Sequence, residues 1–471
     1  MEWGETMGKA NVLQIGEVIS LEVKKQGING EGIGYHEQMA VFVPGAIAQE
    51  TVDAEIVATK PGFAVARLKT IVKPSPRRAV PPCVYYERCG GCQTQHIEYQ
   101  EQLKGKRHLL RQSLKRYTDL DPDRIDIRKT IGMKHPFGYR NKSQMPFSNT
   151  NLGLSLGLFE VNSNHFVQVD ECIVQDPVVN RVNRAVLAIM AEAKYVAHDH
   201  MNKEGVLLNL VTRHMASTGA VQVTLVVTEK PEGIATVAAR IMNELPEVKS
   251  VFYSINTPKN VSMFGHEPEL LQGAPQIEET IGGLAFKLSP AAFHQLNTSQ
   301  MIVLYDEILK AAALTGKETV VDCYSGVGIT SILLAKAAAQ VVGIDYSEAS
   351  VRDAKQNAQQ NRVKNVSFVQ DRVERALPVL LAKKGVPDVI VFDPPRTGLE
   401  DAVIDEIIRA KAPRLVYVSC NPSTLAKNLH DLESSYDIAY IQPIDMFPHT
   451  AGVESLTLLT LKRPGGPKPN A

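Results

Sequence analysis

From about Ser289 onward the chain alternates apolar helical stretches with short apolar runs, and each run stops at a small or polar residue. Met301 to Ala313 reads as an amphipathic helix, Thr319 to Asp322 as a strand, Ile329 to Ala338 as a helix, Gln340 to Asp345 as a strand and Ala349 to Asn361 as a helix. Val366 to Gln370, Asp388 to Phe392 and Leu415 to Ser419 extend the strands, and Ser455 to Leu461 closes the set. Strands that are apolar on both faces, with helices between them, pair in parallel through crossovers, which specifies a doubly wound α/β sheet. Ligands bind at the carboxyl edge of such a sheet, so residues at strand ends are the candidates for chemistry.

Cys420 is the most informative of these. The apolar run Leu415-Val416-Tyr417-Val418 ends in Ser419-Cys420-Asn421-Pro422, so the thiol stands at a strand end just before a chain reversal. There it can reach a ligand, whereas a thiol in mid-strand only fills space. A buried structural thiol is the plain alternative. Asp322-Cys323-Tyr324-Ser325-Gly326-Val327-Gly328 follows the first strand and opens a helix, where the backbone can approach a nucleotide closely. The third glycine of a dinucleotide fingerprint is absent, Ser331 holding its place, which weighs against a nicotinamide cofactor. Asp345 ends the second strand, placed to accept hydrogen bonds from both ribose hydroxyls of an adenosine; a bare strand-end carboxylate is the alternative. The prolines of Asp393-Pro394-Pro395-Arg396 fix a rigid turn suited to aligning a flat base or a sulfonium cofactor, or serve only as a turn. Phe447-Pro448-His449-Thr450 leads to Glu454, whose carboxylate can face the same crevice or simply face solvent.

Upstream the character changes. At 471 residues the chain exceeds one ordinary core, and three domains are expected. Residues 1–73 hold β-rich runs broken by Gly27, Gly30, Gly32 and Gly34, followed by Ala40-Val41-Phe42-Val43-Pro44-Gly45, a pattern for a small antiparallel barrel. Lys73 to Pro82 is a proline-rich linker. Residues 74–285 form a mixed α+β region, with a helical pattern from about residue 95 to Arg116, extendable to about 128 and expected to pack on the doubly wound part, and a strand at Val221 to Val227. Residues 286–471 form the doubly wound domain.

Lys and Arg number 51, as do Asp and Glu, so the chain is no bulk polycation. Yet Lys73 to Lys142 carries 16 basic and 7 acidic residues, with Arg107, Arg111, Lys115 and Arg116 at near-helical spacing. That is either a solvated helix face or a phosphate-contacting surface. Glu2 and Glu5 without an apolar core argue against a secretory leader, and Lys336 and Gln340 break the apolar stretch from Ile332 to Ile344, so a cytoplasmic protein without membrane association is expected. In a reducing compartment, Cys83-x5-Cys89-x2-Cys92 points to a metal, and His96 can complete a Cys₃His zinc site.

Taken together, Gly326-x-Gly328, Asp393-Pro394-Pro395-Arg396, Ser419-Cys420-Asn421-Pro422 with Thr424-Leu425, and Phe447-Pro448-His449-Thr450 with Glu454 resemble the uracil-C5 methyltransferases of RNA. Ser289 to Asn297 resembles that family's cofactor segment; Tyr139-Arg140-Asn141-Lys142 and Gly157-Leu158-Phe159 leading to Cys172 resemble its central domain. The glycine-rich start is similar to the TRAM barrel of the ribosomal-RNA branch. This resemblance implies a Rossmann-like methyltransferase domain joined to an OB-like TRAM barrel and a central domain, acting on a uridine of 23S ribosomal RNA with S-adenosyl-L-methionine. It implies Cys420 as nucleophile adding to C6 and Glu454 as base at C5. It implies Gln295, Tyr324, Asp345 and Asp393 as cofactor-binding residues. It also implies that Cys83, Cys89, Cys92 and Cys172 hold an architectural [4Fe–4S] cluster rather than structural zinc, with Cys323 left as core. RNA is the implied partner, its target base unstacked into the crevice, and no obligate protein partner is evident.

His294, Lys427-Asn428 and Gly452 depart from the family's usual residues and bear on substrate choice and on the orientation of Glu454. The rival readings are a transfer-RNA uracil-C5 methyltransferase, an iron–sulfur oxidoreductase using a nicotinamide cofactor, and a non-enzymatic RNA-binding module.

Overall fold

The computed structural model describes residues 13–199, 201–257 and 262–462. Glu2 and Glu5, used in reading the sequence, lie outside the described residues. The chain begins with a closed barrel of β1 (Val18–Gln26), β2 (Gly32–His36), β3 (Met39–Val43), β4 (Thr51–Lys60) and β5 (Phe63–Lys73), ordered β1-β2-β3-β5-β4. Two of the glycines expected in turns stand inside β2. A Cβ on Gly34 would lie 2.3 Å from Leu21 Cδ1 and 2.7 Å from the Glu22 carbonyl oxygen, and one on Gly32 2.8 Å from the Ala46 carbonyl oxygen, so so narrow a barrel closes only where side chains are absent. Leu21, Val23, Val41, Val43, Val52, Ala54 and Ile56 fill it.

After the linker, α1 (Tyr99–Tyr117) stops well short of residue 128. Its last turn gives way at Thr118 to extended backbone, and Pro122 with three nearby aspartates cannot prolong it. The central region is a seven-stranded sheet. Its strands are β6 (Lys142–Thr150), β7 (Gly153–Phe159), β8 (Phe166–Gln168), β9 (Leu207–Met215), β10 (Ala220–Val227), β11 (Val248–Ile255) and β12 (Glu269–Gly273), covered by α2 (Pro177–Glu192) and α3 (Ile234–Glu244). Pairing is antiparallel except between β10 and β11. A hairpin, β13 (Ile277–Ile281) and β14 (Leu284–Leu288), leads into the last unit.

That unit runs α4 (Thr298–Ala312), β15 (Thr319–Cys323), α5 (Ile329–Ala335), β16 (Gln340–Asp345), α6 (Glu348–Gln360), β17 (Val366–Gln370), α7 (Val373–Lys384), β18 (Val389–Phe392), α8 (Asp401–Ala410), β19 (Arg414–Ser419), α9 (Pro422–Leu432), β20 (Tyr436–Ile444) and β21 (Glu454–Leu461). The sheet order is β17-β16-β15-β18-β19-β21-β20. Five strands are parallel, as the alternating pattern requires, while β21 pairs antiparallel with both β19 and β20. The order reverses between β15 and β18, so the switch-point crevice opens above their carboxyl ends. Among the described residues no helix is long and apolar enough to cross a membrane.

Helix α1 belongs to the core of the doubly wound unit although it comes well before that unit in the chain. Leu109, Leu110 and Leu114 enter the same cluster as Leu425, Leu429 and Tyr417, so α1 lies on α9, the helix that Cys420 precedes. Leu110 is 1% exposed. Replacing Leu110 with alanine should therefore cost about 2–5 kcal/mol and lower the urea midpoint of the doubly wound unit's transition, and an unchanged midpoint would place α1 outside that core.

Candidate functional site

The antiparallel register of β19 and β21 pairs Ser419 with Ser455, so the next residues outward, Cys420 and Glu454, stand side by side at the sheet's edge. Ser455 Oγ donates to the Ser419 carbonyl at 3.4 Å and closes the pair. Asp393 stands at the end of β18, the strand beside β19, so three acidic or nucleophilic groups share one corner. Burial pushes the Cys420 thiol up to about 11, the charges of Glu454 and Asp393 add to the effect, and Arg396 opposes it. Glu454, only 4% exposed, is held well above the ordinary carboxylate range by burial and then by Asp393, again against Arg396. Burial likewise raises Asp393. Arg396 thus touches the electrostatics of both neighbours, although its sequence position suggested no separate role.

The turn after Cys420 is fixed by its own side chains. Asn421 caps α9 by accepting from the Ser423 amide at 3.0 Å, Pro422 begins the helix, and Thr424 Oγ1 donates to the Arg396 carbonyl at 3.3 Å. The turn after Cys420 and the turn after Asp393 are therefore bonded to each other. Asn428 adds a second tie, its Oδ1 accepting from the Leu399 amide at 2.9 Å and from Tyr417 Oη at 2.8 Å.

On the other side of the switch point, Asp345 accepts from the Gly326 amide at 2.9 Å and the Ser347 amide at 2.8 Å, leaving further lone pairs for a ligand. Tyr324 takes a left-handed φ of 66°, a strained conformation for a side chain of this size, at the turn between β15 and α5. Gly328, at φ 82°, is required there: a Cβ would lie 2.8 Å from the Phe368 ring and 2.9 Å from Ala354 Cβ. A Cβ on Gly326 would meet nothing within 4 Å, and Ser325 Oγ is buried without a hydrogen-bond partner. An open cradle with an orphaned hydroxyl and an accepting carboxylate fits an adenosyl ligand. Gln295 is buried in the segment before α4; Asn141 Nδ2 donates to its carbonyl at 3.0 Å, and Arg213 holds the same segment through the Ser289, Pro290 and Ala292 carbonyls. His294 is buried, and neither ring nitrogen has a partner.

Cys83, Cys89, Cys92 and Cys172 line one cavity of about 130 Å³, each half-buried and free of disulfides. Burial raises the thiols of Cys89, Cys92 and Cys172, and the neighbouring cysteines push them further in the same direction. No three of these sulfurs lie within 4.8 Å of one another. His96 is absent from the cavity wall; its Nδ1 faces Tyr86 Oη at 2.5 Å instead.

The loop at 445–453, between β20 and β21, was the feature least visible in the sequence. Five consecutive carbonyls accept from five places: Asp445 from Gln300 at 3.0 Å, Met446 from Asn297 at 3.0 Å, Phe447 from Lys106 at 3.0 Å, Pro448 from Tyr139 at 2.9 Å, and His449 from the amides of Gln93 at 3.0 Å and Thr94 at 3.1 Å. His449 stacks on Phe137 with ring centroids 4.1 Å apart, and burial lowers it to about 4, keeping it neutral.

Several comparisons bear on this geometry. The pattern of the tRNA (Uracil-5-)-methyltransferase family matches residues 98–462, and that of the TRAM domain residues 12–69. An RNA methyltransferase of Bacillus anthracis is 41% identical over 451 residues, covering 96% of this chain and 98% of its own. One of Halalkalibacterium halodurans is 43% identical over 451 residues, covering 95% and 97%. The solved tRNA (uracil-54, C5)-methyltransferase of Pyrococcus abyssi, in complex with S-adenosyl-L-homocysteine, superposes with a TM-score of 0.74 at 27% identity, covering 94% of this chain and all of its own.

Beneath the crevice, burial pushes Asp322 up to about 7, although Ser331 Oγ donates to it at 2.5 Å. An unfolded aspartate titrates near 3.9, so between about pH 4 and 7 the folded chain keeps a proton the unfolded chain has released, and stability must fall as pH rises through that window. Asp322→Asn should flatten this decline by about 1.4 kcal/mol per pH unit, read from urea midpoints at pH 4.5, 5.5 and 6.5; an unaltered slope would mean that Asp322 is ionised throughout.

Proposed function

This chain belongs to the tRNA (uracil-5-)-methyltransferase family and is an S-adenosylmethionine-dependent RNA (uracil-C5) methyltransferase, and on that premise we propose that it forms 5-methyluridine in 23S ribosomal RNA through a covalent Cys420 adduct. The observation that carries the covalent reading is the β19–β21 register, which sets Cys420 beside Glu454 with Asp393 next to both. S-adenosylmethionine, when bound, supplies an electrophilic methyl group; Gln295, Tyr324, Asp345 and Asp393 are the residues proposed to hold it.

Uracil C5 is a poor nucleophile. Cys420 must release its proton to solvent, which leaves Glu454 ionised for the later step, and the thiolate adds to C6 so that the ring's electrons move onto C5 and O4. Once C5 carries the methyl group, Glu454 takes the C5 proton, the C5–C6 double bond re-forms, and the C6–S pair returns to Cys420. A carboxylate whose proton affinity is raised by burial is the stronger base for that step. Arg396 opposes the rise on both groups and keeps the ionised forms within reach. Cys83, Cys89, Cys92 and Cys172 are proposed to hold a [4Fe–4S] cluster, supported by their shared cavity; its role is architectural, since methyl transfer moves no net electrons.

A cleft of about 520 Å³ between the barrel and α1 supports the RNA reading. Lys25, Arg77, Lys104, Arg107 and Arg111 line it with Glu101 as the acidic exception, so it attracts a phosphodiester backbone. We take residues 1–73 as the RNA-binding barrel, residues 74–285 as the central domain that carries the cysteine cluster, residues 286–471 as the catalytic domain, and the cytoplasm as the place of action.

Transfer RNA is the second reading. The Pyrococcus abyssi enzyme covers 94% of this chain, enough to include the barrel, so a barrel by itself does not separate the two substrates. The cysteine set is what favours ribosomal RNA, through the resemblance to that branch.

Mapping 5-methyluridine in ribosomal and transfer RNA from cells with and without this protein separates the readings: loss from 23S RNA is expected, and loss confined to transfer RNA overturns that choice. Cys420→Ala should abolish methyl incorporation, at least about 10³-fold, and undiminished incorporation would exclude the covalent route. Protein purified without air should be brown and carry about four irons per chain, and a colourless zinc-bearing preparation would reverse the metal assignment.

A further inference from the structure

Cys92 is followed directly by Gln93 and Thr94, and both of their amides donate to the His449 carbonyl, at 3.0 and 3.1 Å. Gln93 Oε1 also accepts from the Ala451 amide at 3.4 Å, while its Nε2 returns to the Gly90 carbonyl between Cys89 and Cys92 at 2.9 Å. One residue thus spans the gap between the cysteine segment and the loop that ends at Glu454.

Gln102 of α1 doubles the connection. Its Oε1 accepts from the His449 amide and from Thr94 Oγ1, both at 3.1 Å. Its Nε2 donates to the Ile97 carbonyl at 2.8 Å and faces His449 Nδ1 at 3.2 Å. The amide orientation is fixed, because a carbonyl only accepts and a backbone N–H only donates. All four contacts are buried or nearly so, where leaving one partner unpaired is expensive. His449 itself holds a left-handed φ of 66°, a conformation that persists only when surrounding bonds impose it. Five residues further on the chain reaches Glu454, which pairs with Ile444 across the mouth of the loop.

From this geometry we infer that Gln93, Thr94 and Gln102 are positioning residues for Glu454, and that the cysteine segment thereby sets the geometry of the proton-removal step. The inference rests on the covalent mechanism proposed above. In that mechanism the C5 proton passes to Glu454 as the C6–S bond electrons return to Cys420, so a displaced Glu454 stalls the enzyme after adduct formation. Adduct formation itself depends on Cys420, which the separate turn at residues 419–424 holds. A slackened loop therefore leaves a specific mark: methylated RNA that stays bonded to protein.

The test uses full-length, metal-loaded protein with substrate RNA, scored by RNA–protein adduct on denaturing gels alongside turnover. Glu454→Gln calibrates the signal. Gln102→Ala, and Gln102→Glu as the volume-preserving variant, should lower kcat about ten-fold or more, raise the steady-state adduct several-fold and leave KM for RNA within about two-fold. Cys92→Ser, checked for intact fold by circular dichroism, should show the same adduct. If Gln102→Ala turns over normally, or loses turnover without gaining adduct, the inference is overturned. A folded Cys92→Ser protein that releases RNA at the normal rate overturns the link to the cysteines; if that variant does not fold, the Gln102 pair decides. Absence of adduct in Glu454→Gln would sink the covalent mechanism first, which separates the two failures.

Discussion

The buried ion pair of Lys106 and Asp445 is the interaction on which the assembly turns. Lys106 Nζ meets Asp445 Oδ1 at 2.5 Å with side chains 4% and 0% exposed, and Tyr99 Oη donates to Asp445 Oδ2 at 2.7 Å. A lone ammonium so deep in protein is costly, and burial does lower the proton affinity of Lys106 against the pull of Asp445. The pair is tolerable only when α1 lies on the catalytic unit in one register, because a shift of either partner leaves an uncompensated charge. The leucines of α1 provide adhesion without direction; the ion pair provides the direction.

That docking has a consequence for chemistry. Asp445 begins the loop that Glu454 ends, so fixing α1 fixes one side of the proposed base. The carbonyls that follow are taken up by α4, by Tyr139 ahead of β6 and by the segment after Cys92. The barrel joins the same frame through Arg78 of the linker, whose guanidinium grips Glu50 at 2.6 and 2.8 Å and the Gly45 carbonyl at 2.7 Å. Three units with separate cores are thus tied by charged and polar contacts of fixed direction, and the crevice lies where those ties converge. Rigid surroundings of this kind suit the proposed reaction, in which nucleophile, base and methyl donor must meet one flipped base.

Much of the site was legible because it is local. A strand end followed by a turn brings Cys420, Asp345 and Asp393 to one edge of a parallel sheet whatever the loops do. Arg396 stood within a quoted motif, yet its influence on both Cys420 and Glu454 appears only in three dimensions. Helix α1 was legible to its end near Arg116, and only its extension toward residue 128 fails, because Pro122 and the aspartates around it stop the helix after Tyr117. The glycines of the barrel pointed to turns, while Gly32 and Gly34 in fact mark close approaches within a strand. The role of His449 had no signal at all, because its partners Gln93, Thr94, Gln102 and Phe137 lie more than three hundred residues away in sequence.

By itself, the sequence determined the alternation that makes a parallel sheet, the residue types at its carboxyl edge and the short glycine-broken strands of a small barrel. Each follows from side-chain periodicity or from backbone freedom, which act over a few residues. Only the tertiary structure decided that Cys420 faces Glu454 across β19 and β21, that Cys172 joins three distant cysteines around one cavity, and that an early helix holds the last loop. The reason is physical: periodicity says which face of an element is buried, but the register between elements far apart in the chain is set by burying charges and polar groups that must find their partners.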